Sequence, residues 1–407
     1  MRRNGVDPRR GLALLAALLA ASVAAGPAAG QSLAERLDEA LNIAGMPRAK
    51  TGAWAFDLAA GRAVYGQNAR RSFQPASNQK LAVALAALAR LGPGYRIPTE
   101  VIPDGTVAGT TLRGRLALKG YGDPTLSRTD LRRFAAAVRA AGIRRITGRI
   151  VGDERYYDRL RTGLGWRSSW YKVESPPLSA LVVGRARVNG RTVDRPALAA
   201  ARAFRDALVA AGVSVGGRAA TGRAPAGVAP LAVRRSRTMT ALVRRMNKPS
   251  DNFVAEMLLK HLGARFRDAG TAAAGCAVVR RVLRARSVPL DGVRCADGSG
   301  LSPYNRLTAR AVGALLLSAW RNAAIRGPFV DSLPIAGVDG TLEDRMRSGP
   351  ARGRVRAKTG TTSTASALSG YAGTRFVFSV LQNGSPVNWE RARRAQNRFA
   401  QALARAL

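Results

Sequence analysis

The sequence predicts a mixed α/β (α+β) fold in which one sheet takes strands from both ends of the chain. Strand-like runs occur early, in "TGAWAFDLAAGRAVYGQNA" from Thr51, and late, in "GRVRAKTG", "ASALSGYAGT" and "RFVFSVLQNG". Helical patterns fill most of the chain between residue 236 and these last strands. Strands at both ends with helices between them predict an antiparallel sheet flanked by helices.

The first thirty residues have the pattern of an export signal. Four arginines and other polar residues precede an apolar run from Gly11 to Ala25, and "PAAG" offers small residues for cleavage near Gly30. The run is short for a membrane span, so an uncleaved anchor is the alternative. Arg9-Arg10 leaves the Sec and twin-arginine routes both open. We therefore expect an exported protein, periplasmic or extracellular and associated with the cell wall.

Helical patterns follow the signal. One begins at Ser32, and a second runs from Ser77 to Leu91 and is apolar on nearly every face, so we expect it in the centre of a domain. Outside residues 93–235, further helices are expected over Thr238–Met246, Asp251–His261, Thr271–Arg284, Thr308–Asn322 and from Trp389 to the C-terminus.

Between residues 93 and 235 the pattern changes to short strand-like runs alternating with Ala/Arg-rich helices. The expected strands are "LRGRLALKG", "ITGRIVGD", "SALVVGRARVNG" and "VSVGG", and the expected helices lie near Thr129–Ala141 and Pro196–Ala211. We therefore predict a signal peptide over residues 1–30, a main domain formed by residues 31–92 and 236–407, and an inserted β-rich α/β domain formed by residues 93–235.

Cys276 and Cys295 are the two cysteines of the chain. An exported protein folds in an oxidising compartment, where such a pair can form a disulfide. Closing the loop between them would stabilise the fold by about 3 kcal/mol. Two unpaired buried thiols are the alternative that the sequence leaves open.

The chain has a formal net charge of +41, and only seven of its 66 basic residues are Lys. The charges are spread along the whole length, without zinc-ligand spacing, an aromatic-basic motif or a basic tail, so no nucleic-acid partner is expected. A general preference for Arg and Ala accounts for this composition. Attraction to anionic polymers of the cell wall is the alternative.

His261 is the single histidine, and this excludes several familiar kinds of hydrolytic site. A Ser-His-Asp triad, a Cys-His pair and a multi-His zinc site each need histidine as base or ligand. His261 itself ends a predicted helix, and we interpret it as a helix-end or packing residue. A nucleophile in this chain therefore needs a different base, and neither a metal nor a cofactor is expected.

Ser77 and Lys80 in "QPASNQKL" supply a nucleophile and such a base. Three positions apart on a helix, they share one face, and the helix dipole favours a developing alkoxide on Ser77. Apolar neighbours disfavour the charged form of Lys80, and a neutral amine can take the proton of the hydroxyl. Ser-x-x-Lys alone is common, however, and its ordinary explanation is a helix cap beside a lysine that covers apolar surface.

Two further motifs favour the catalytic interpretation. "PSDNF" places Ser250 and Asn252 at the start of a helix, and "AKTGT" places Lys358–Thr361 on a late strand. S-x-x-K, S-D-N and K-T-G together are the signature of penicillin-binding proteins and class A β-lactamases. All three motifs in this order, behind an export signal, are far less expected by chance than any one of them.

With these motifs the sequence resembles serine peptidase family S13, the D-Ala-D-Ala carboxypeptidases/endopeptidases that form the class C low-molecular-mass penicillin-binding proteins. The resemblance covers nearly all of the chain after the signal and includes "FQPASNQKL", "NKPSDNFVAEMLLKHLG", "DGSGLSPYNRLT", "DSLPIAGVDGTLEDRM", "VRAKTGTTSTASALSGY" and, in the insert, "GYGDPTL". It implies a β-lactamase/transpeptidase-like domain with a long insertion between the first and second motifs. The insert is shorter than in the largest family members, which leaves open one subdomain or two.

The resemblance also implies a catalytic role for the motif residues. Ser77 would be the acylated nucleophile and Lys80 its base. Ser250 and Lys358 would relay a proton to the leaving amine, and Asn252 would hold the amide side of the substrate.

Substrate binding is implied for the third motif. Lys358 with the hydroxyls of Thr359 and Thr361 would bind the terminal carboxylate of the substrate next to Gly360, which fits the charge of D-Ala-D-Ala. The backbone N–H groups of Ser77 and Thr361 would form the oxyanion hole.

The sequence therefore predicts an exported serine DD-peptidase that acts on peptidoglycan stem peptides through an acyl-enzyme and is acylated and inhibited by β-lactam antibiotics. A β-lactamase-like hydrolase and a catalytically weak peptidoglycan receptor are the alternatives. β-Lactamases use a Glu to activate the deacylating water; Glu174 lies at about the expected distance, but no Asn follows it, so we interpret it as a surface residue. Gly-containing turns at Asp297 and Asp339 are interpreted as support for the site.

Overall fold

The computed structural model describes Met1 and residues 31–407, and Leu33–Leu407 form one compact unit. The expected signal peptide lies outside the described residues. In the described part of the chain no helix is both long and apolar enough to cross a membrane.

The described residues form ten α-helices, several of which begin at a side chain that accepts a backbone N–H group. Thr238, Asp251, Thr271 and Thr308 are such N-caps. The helices are α1 (Leu33–Leu41), α2 (Gln79–Leu91), α3 (Arg128–Ala140), α4 (Pro196–Ala210), α5 (Met239–Asn247), α6 (Asn252–Arg267), α7 (Ala272–Ala285), α8 (Ala309–Arg321), α9 (Ala323–Val330) and α10 (Trp389–Arg405). Short 3₁₀ turns cover Arg48–Lys50, Ala76–Asn78, Ser168–Trp170, Gly184–Ala186 and Gly340–Leu342.

The strands are β1 (Thr51–Asp57), β2 (Arg62–Gln67), β3 (Ser72–Phe73), β4 (Pro98–Ala108), β5 (Thr111–Gly120), β6 (Arg145–Ile146), β7 (Ile150–Asp153), β8 (Arg187–Val188), β9 (Arg191–Thr192), β10 (Ser214–Val215), β11 (Ala220–Thr221), β12 (Ala232–Arg235), β13 (Leu307–Thr308), β14 (Val355–Thr361), β15 (Ala365–Ala372) and β16 (Phe376–Asn383).

The first sheet joins the two ends of the chain, and this confirms the antiparallel sheet expected from the sequence. Its order is β14-β15-β16-β1-β2, with every neighbouring pair antiparallel. Alternate residues of β16 serve two cores: Phe376 and Phe378 pack with α1 and α10, whereas Val377 and Leu381 pack with the helices on the other face. The sheet is therefore covered by helices on both faces.

Helix α2 lies in the centre of the second core, as its apolar sequence predicts. Gln79 through Leu88 are all buried, and α5–α9 surround the helix. The helix ends at Gly92, whose φ of 84° is a backbone conformation that glycine adopts without strain. Because the 3₁₀ turn Ala76–Asn78 runs directly into α2, the packing of this helix fixes the position of Ser77.

A second sheet of seven strands lies within residues 98–235. Its main order is β10-β6-β5-β4-β12, and β7 pairs with both β5 and β11. Parallel and antiparallel pairs are mixed, and α3 and α4 pack against it through Phe134 and Phe204. The long strand β4 was not among the expected strands.

The expectation of a strand over "SALVVGRARVNG" was wrong for most of its length. Only Arg187–Val188 are strand, paired with β9, and a 3₁₀ turn precedes them. The alternation of apolar residues is nevertheless meaningful: Leu181 and Val183 enter the core of the second sheet, while Ala180 and Val182 pack near Phe253 on α6. An irregular segment buried between two cores produces the same alternation as a strand.

Candidate active site

Ser77 lies in the 3₁₀ turn that leads into α2, and two glycines allow other segments to approach it closely. A Cβ on Gly360 of β14 would lie 3.1 Å from the backbone N of Ser77. A Cβ on Gly300 would collide with the carbonyl of Ala76. The K-T-G strand and the loop around Gly300 therefore pack directly against the turn that carries Ser77.

The Lys80 side chain is fully buried and its Nζ has three hydrogen-bond acceptors. It donates to Ser77 Oγ at 2.8 Å, to Asn252 Oδ1 at 2.8 Å and to the carbonyl of Ser299 at 2.7 Å. Burial lowers the pKa of Lys80 to about 8, while nearby carboxylates, chiefly Asp297, oppose the shift. A neutral amine beside the Ser77 hydroxyl is thus accessible near neutral pH.

Lys358 and Ser250 form a second pair. Lys358 Nζ donates to Ser250 Oγ at 2.9 Å and to the carbonyl of Thr359 at 2.9 Å. Full burial, together with the charge of Lys80, places the pKa of Lys358 well below its ordinary value. Ser250 itself has a φ of 61°, an uncommon backbone conformation for a residue other than glycine.

The S-D-N segment connects the site to residues 93–235. Asp251 caps α6 by accepting from Val254 N at 3.1 Å, and it forms an ion pair with Arg185 at 2.6 Å. The amide nitrogen of Asn252 donates to the carbonyl and, at 3.4 Å, to the carboxylate of Glu174. Glu174 is exposed, as expected, but it is more than an ordinary surface residue because it contacts Asn252 at the edge of the cleft.

A cleft of about 440 Å³ brings the three motifs together. Thr359 of β14 is nearly buried, and its Oγ1 lies 2.6 Å from Thr341 Oγ1, whereas Thr361 is exposed. The lining includes residues of all three motifs, namely Ser77, Ser250, Asn252, Thr359, Gly360 and Thr361. Arg345 and Arg393 also line it, so the cleft can receive an anionic group.

The loop from Asp297 to Ser302 has more contacts with the candidate site than its Gly-containing turn predicts. Buried Asp297 accepts from Gly300 N at 2.8 Å, Ser302 N at 2.7 Å and Trp166 Nε1 at 2.9 Å. The carbonyl of Ser299 faces Lys80, as described above. A main-chain oxygen leaves no mark on a sequence, although "DGSG" signals the tight turn that carries it.

The turn at Asp339 also supports the site, which agrees with the interpretation from the sequence. Asp339 forms an ion pair with Lys248 and accepts from Ile335 N at 2.8 Å. These contacts hold the segment that presents Thr341 to Thr359.

His261 has a packing role, but it lies inside α6 rather than at a helix end, because the helix continues to Arg267. Its Nδ1 lies 2.9 Å from the carbonyl of Tyr121 and its Nε2 lies 3.0 Å from the hydroxyl of Tyr95. Burial lowers the pKa of His261 to about 4. The residue is therefore a neutral internal hydrogen-bonding group.

Cys276 and Cys295 form a disulfide with a Cα–Cα distance of 5.5 Å. It joins α7 to the segment just before Asp297. In residues 31–407, no group of three or more His, Cys, Asp and Glu side chains is placed to hold a metal ion.

The chain matches the pattern of a known family over nearly all of the described residues. Residues 33–192 and 184–406 match the D-Ala-D-Ala carboxypeptidase 3 (S13) family. The D-alanyl-D-alanine carboxypeptidase of Actinomadura sp. (strain R39) is 32% identical over an alignment of 423 positions, gaps included, that covers 83% of this chain and 78% of that protein.

Solved structures give the same picture of the fold. Penicillin-binding protein 4 of Haemophilus influenzae superposes with a TM-score of 0.79 at 22% identity, over 92% of this chain and 99% of that one. A predatory endopeptidase of Bdellovibrio bacteriovorus, solved acylated by penicillin G, superposes with a TM-score of 0.53 at 19% identity, over 87% and 90% of the chains. These likenesses confirm the expected fold class, a sheet flanked by helices with an inserted region.

Proposed function

The chain belongs to the D-Ala-D-Ala carboxypeptidase 3 (S13) family of serine-type carboxypeptidases, and from this premise we propose that Ser77 attacks the terminal peptide bond of peptidoglycan stem peptides. The 2.8 Å contact between Lys80 Nζ and Ser77 Oγ carries the proposal. Lys80 then acts as the general base that removes the hydroxyl proton.

The surroundings of Lys80 favour the proton transfer. A neutral amine has two N–H groups and one lone pair, and two of its three neighbours, Asn252 Oδ1 and the Ser299 carbonyl, can only accept hydrogen bonds. These oxygens take the two N–H groups, so the lone pair points at the hydroxyl of Ser77. The buried site thereby orients its base before the substrate arrives.

Acylation forms the bond from Ser77 Oγ to the carbonyl carbon and breaks the bond from that carbon to the D-Ala nitrogen. The leaving nitrogen needs a proton, which we assign to a relay through Ser250. Ser250 gives its hydroxyl proton to the amine and takes one in turn from Lys358, whose Nζ donates to Ser250 Oγ at 2.9 Å. The proton that Lys80 removed from Ser77 then replaces the one lost by Lys358, so that one proton passes in net from Ser77 to the amine. Water then hydrolyses the ester and regenerates Ser77.

Binding of the substrate carboxylate is assigned to Lys358, Thr359 and Thr361, with Gly360 between them on β14. The backbone N–H groups of Ser77 and Thr361 are assigned to the oxyanion hole, and the close packing of Gly360 on Ser77 N supports this arrangement. Loss of one such donor typically raises the barrier by about 3–4 kcal/mol.

The test is the intact mass of the protein after incubation with benzylpenicillin, for wild type and for Ser77→Ala, with release of D-Ala from a D-Ala-D-Ala peptide measured in parallel. We expect one stable adduct and D-Ala release for wild type, and neither for Ser77→Ala. An adduct on Ser77→Ala would exclude Ser77 as the nucleophile. Peptide binding without D-Ala release would favour the receptor alternative.

One observation keeps a β-lactamase-like activity in consideration. The Glu174 carboxylate lies 3.4 Å from Asn252 Nδ2 at the edge of the cleft, where it can act on a water near the acyl bond. Steady consumption of benzylpenicillin that is lost in Glu174→Gln would establish that activity. A long-lived adduct in wild type would exclude it.

The remaining proposals concern location and organisation. Residues 1–30 act as a signal peptide cleaved near residue 30, and the disulfide supports folding in an oxidising compartment. Residues 31–92 and 236–407 form the catalytic domain, and residues 93–235 form the insert. A first sheet built from the two outer segments supports this division.

The charge of +41 supports attraction of the protein to anionic cell-wall polymers. If this attraction is electrostatic, binding to cell-wall preparations must weaken as the salt concentration is raised.

A further inference from the structure

Glu256 is a completely buried carboxylate next to the proposed base, and the proposed mechanism does not use it. It lies on α6, four residues after Asn252, so the two side chains share one face of the helix. Its exposed fraction is 0%. Such a carboxylate is rarely found in a protein interior unless it is paired or hydrogen-bonded.

The hydrogen bonds of Glu256 all go to the loop that binds Lys80. Its carboxylate accepts from Gly298 N at 3.0 Å and from Ser299 N at 2.8 Å. The carbonyl of the same Ser299 accepts from Lys80 Nζ at 2.7 Å. Helix α6 thus supplies one acceptor of Lys80 directly, the Asn252 side chain, and holds the other, the Ser299 carbonyl of the loop, through Glu256.

The loop that contains Gly298 and Gly300 packs closely against other segments on two sides. A Cβ on Gly298 would lie 2.6 Å from the carbonyl of Ala255, and a Cβ on Gly300 would collide with the carbonyl of Ala76. The segment therefore fits between α6 and the turn that carries Ser77. Glu256 holds the loop from the side of α6 by accepting hydrogen bonds from its backbone N–H groups.

We propose that Glu256 is a positioning residue for Lys80: it holds the Ser299 carbonyl on the lysine amine and so directs the amine's lone pair at Ser77. This inference rests on the proposed function, because it concerns the same base. Glu256 acts only through the loop and through its charge and does not touch the reacting atoms.

The negative charge of Glu256 affects the pKa of Lys80, so a positioning role predicts a change in the pH dependence of acylation that a merely structural role would not produce. Asp297 is the carboxylate that faces Glu256, and burial together with Asp297 raises the pKa of Glu256. Around Lys80, the carboxylates of Asp297, Glu256, Asp251 and Glu174 raise the lysine pKa against the effect of burial. Removing the charge of Glu256 therefore lowers the pKa of Lys80 further, in addition to releasing the loop.

The experiment measures the second-order rate of acylation by benzylpenicillin as a function of pH, for wild type, Glu256→Gln and Glu256→Asp. In Glu256→Gln we expect the plateau rate to fall about tenfold or more because the base is misaligned. We also expect its acid limb to move to lower pH. Glu256→Asp keeps the charge but shortens the reach, so its plateau falls while its acid limb stays near that of wild type.

The matched control is Asp57→Asn, which removes another buried carboxylate, one that pairs with Arg375 at the end of β1. Asp57→Asn should lower the free energy of unfolding without changing how the acylation rate depends on pH. A wild-type profile in a folded Glu256 variant would overturn the proposal, and so would a lower plateau in Glu256→Gln with an unmoved acid limb. If wild type itself is not acylated, the proposed function fails instead, so the two failures are distinguishable.

Discussion

The ammonium groups of Lys80 and Lys358 are both fully buried in one site, and the charge of Lys80 lowers the pKa of Lys358. Burial disfavours the charged form of each group, and their repulsion adds to this effect. For Lys80 this favours loss of a proton, which the proposed base of the acyl transfer must achieve. Because Lys can lose its proton in a protein and Arg cannot, there is a chemical reason for Lys at these two positions of a chain rich in Arg.

Lys80→Arg should abolish most of the acylation by benzylpenicillin. Arg stays protonated in proteins, so the Ser77 hydroxyl loses its base, and we expect a decrease of roughly 10²-fold or more. The matched control is Lys50→Arg, at an exposed position in a 3₁₀ turn. Acylation of a folded Lys80→Arg protein at the wild-type rate would show that Lys80 is not the base.

The free energy of unfolding should rise between pH about 8 and about 10. The pKa of Lys80 is about 8 in the folded protein and about 10.4 when unfolded. The unfolded chain therefore binds more protons in this window, so stability increases with pH. Lys358 shifts in the same direction. Urea titrations at a series of pH values measure this, and the rise should be smaller in Lys80→Met.

His261 predicts a change of the same sign in a more acidic window. Its pKa falls to about 4 in the folded protein against about 6.5 when unfolded, so stability is lost as the pH drops between these values. The buried group contributes on the order of 3 kcal/mol to this loss. Urea titrations of His261→Gln should show a shallower loss of stability in this window than those of wild type. Identical slopes would show that carboxylates account for all of the acid sensitivity.

Gly360→Ala should slow acylation by pushing β14 away from Ser77. The added Cβ would lie 2.9 Å from the carbonyl of Pro75 and 3.1 Å from Ser77 N, so the strand or the turn has to move. A misplacement of this kind can reduce the rate by roughly 10²-fold. The control is Gly66→Ala, on β2, where the nearest atom lies 3.9 Å from the new Cβ. An equal effect of both variants on the acylation rate would contradict the proposed approach of β14 to Ser77.

Trp166→Phe should reduce acylation severalfold and also lower the free energy of unfolding. The indole N–H of Trp166 donates to Asp297 at 2.9 Å, and Asp297 orders the loop that carries the Ser299 carbonyl. Loss of a hydrogen bond to a charged group typically costs about 1.5–3 kcal/mol. Trp320→Phe, on α8 against Tyr371, is the control. Stopped-flow acylation rates and urea titrations measure the two effects separately.

Local patterns in the amino-acid sequence were enough to predict several parts of this protein. Alternating and helical periodicities located the strands of the first sheet and the buried helix α2. The spacing of Ser77 and Lys80 placed them on one face because a helical turn has a fixed geometry. The three motifs identified the nucleophile, its base and the strand beside them as candidates before any coordinates.

The surroundings of these groups depend instead on contacts between residues that are far apart in the chain. The Ser299 carbonyl that binds Lys80 lies 219 positions away along the chain, and Glu174 reaches Asn252 across 78 positions. A main-chain oxygen, or a carboxylate such as Glu256 in an apolar helix, carries no periodic or spacing signal for its partner. The burial that lowers the pKa of Lys80 and the long-range contacts that orient its amine arise only when the chain folds.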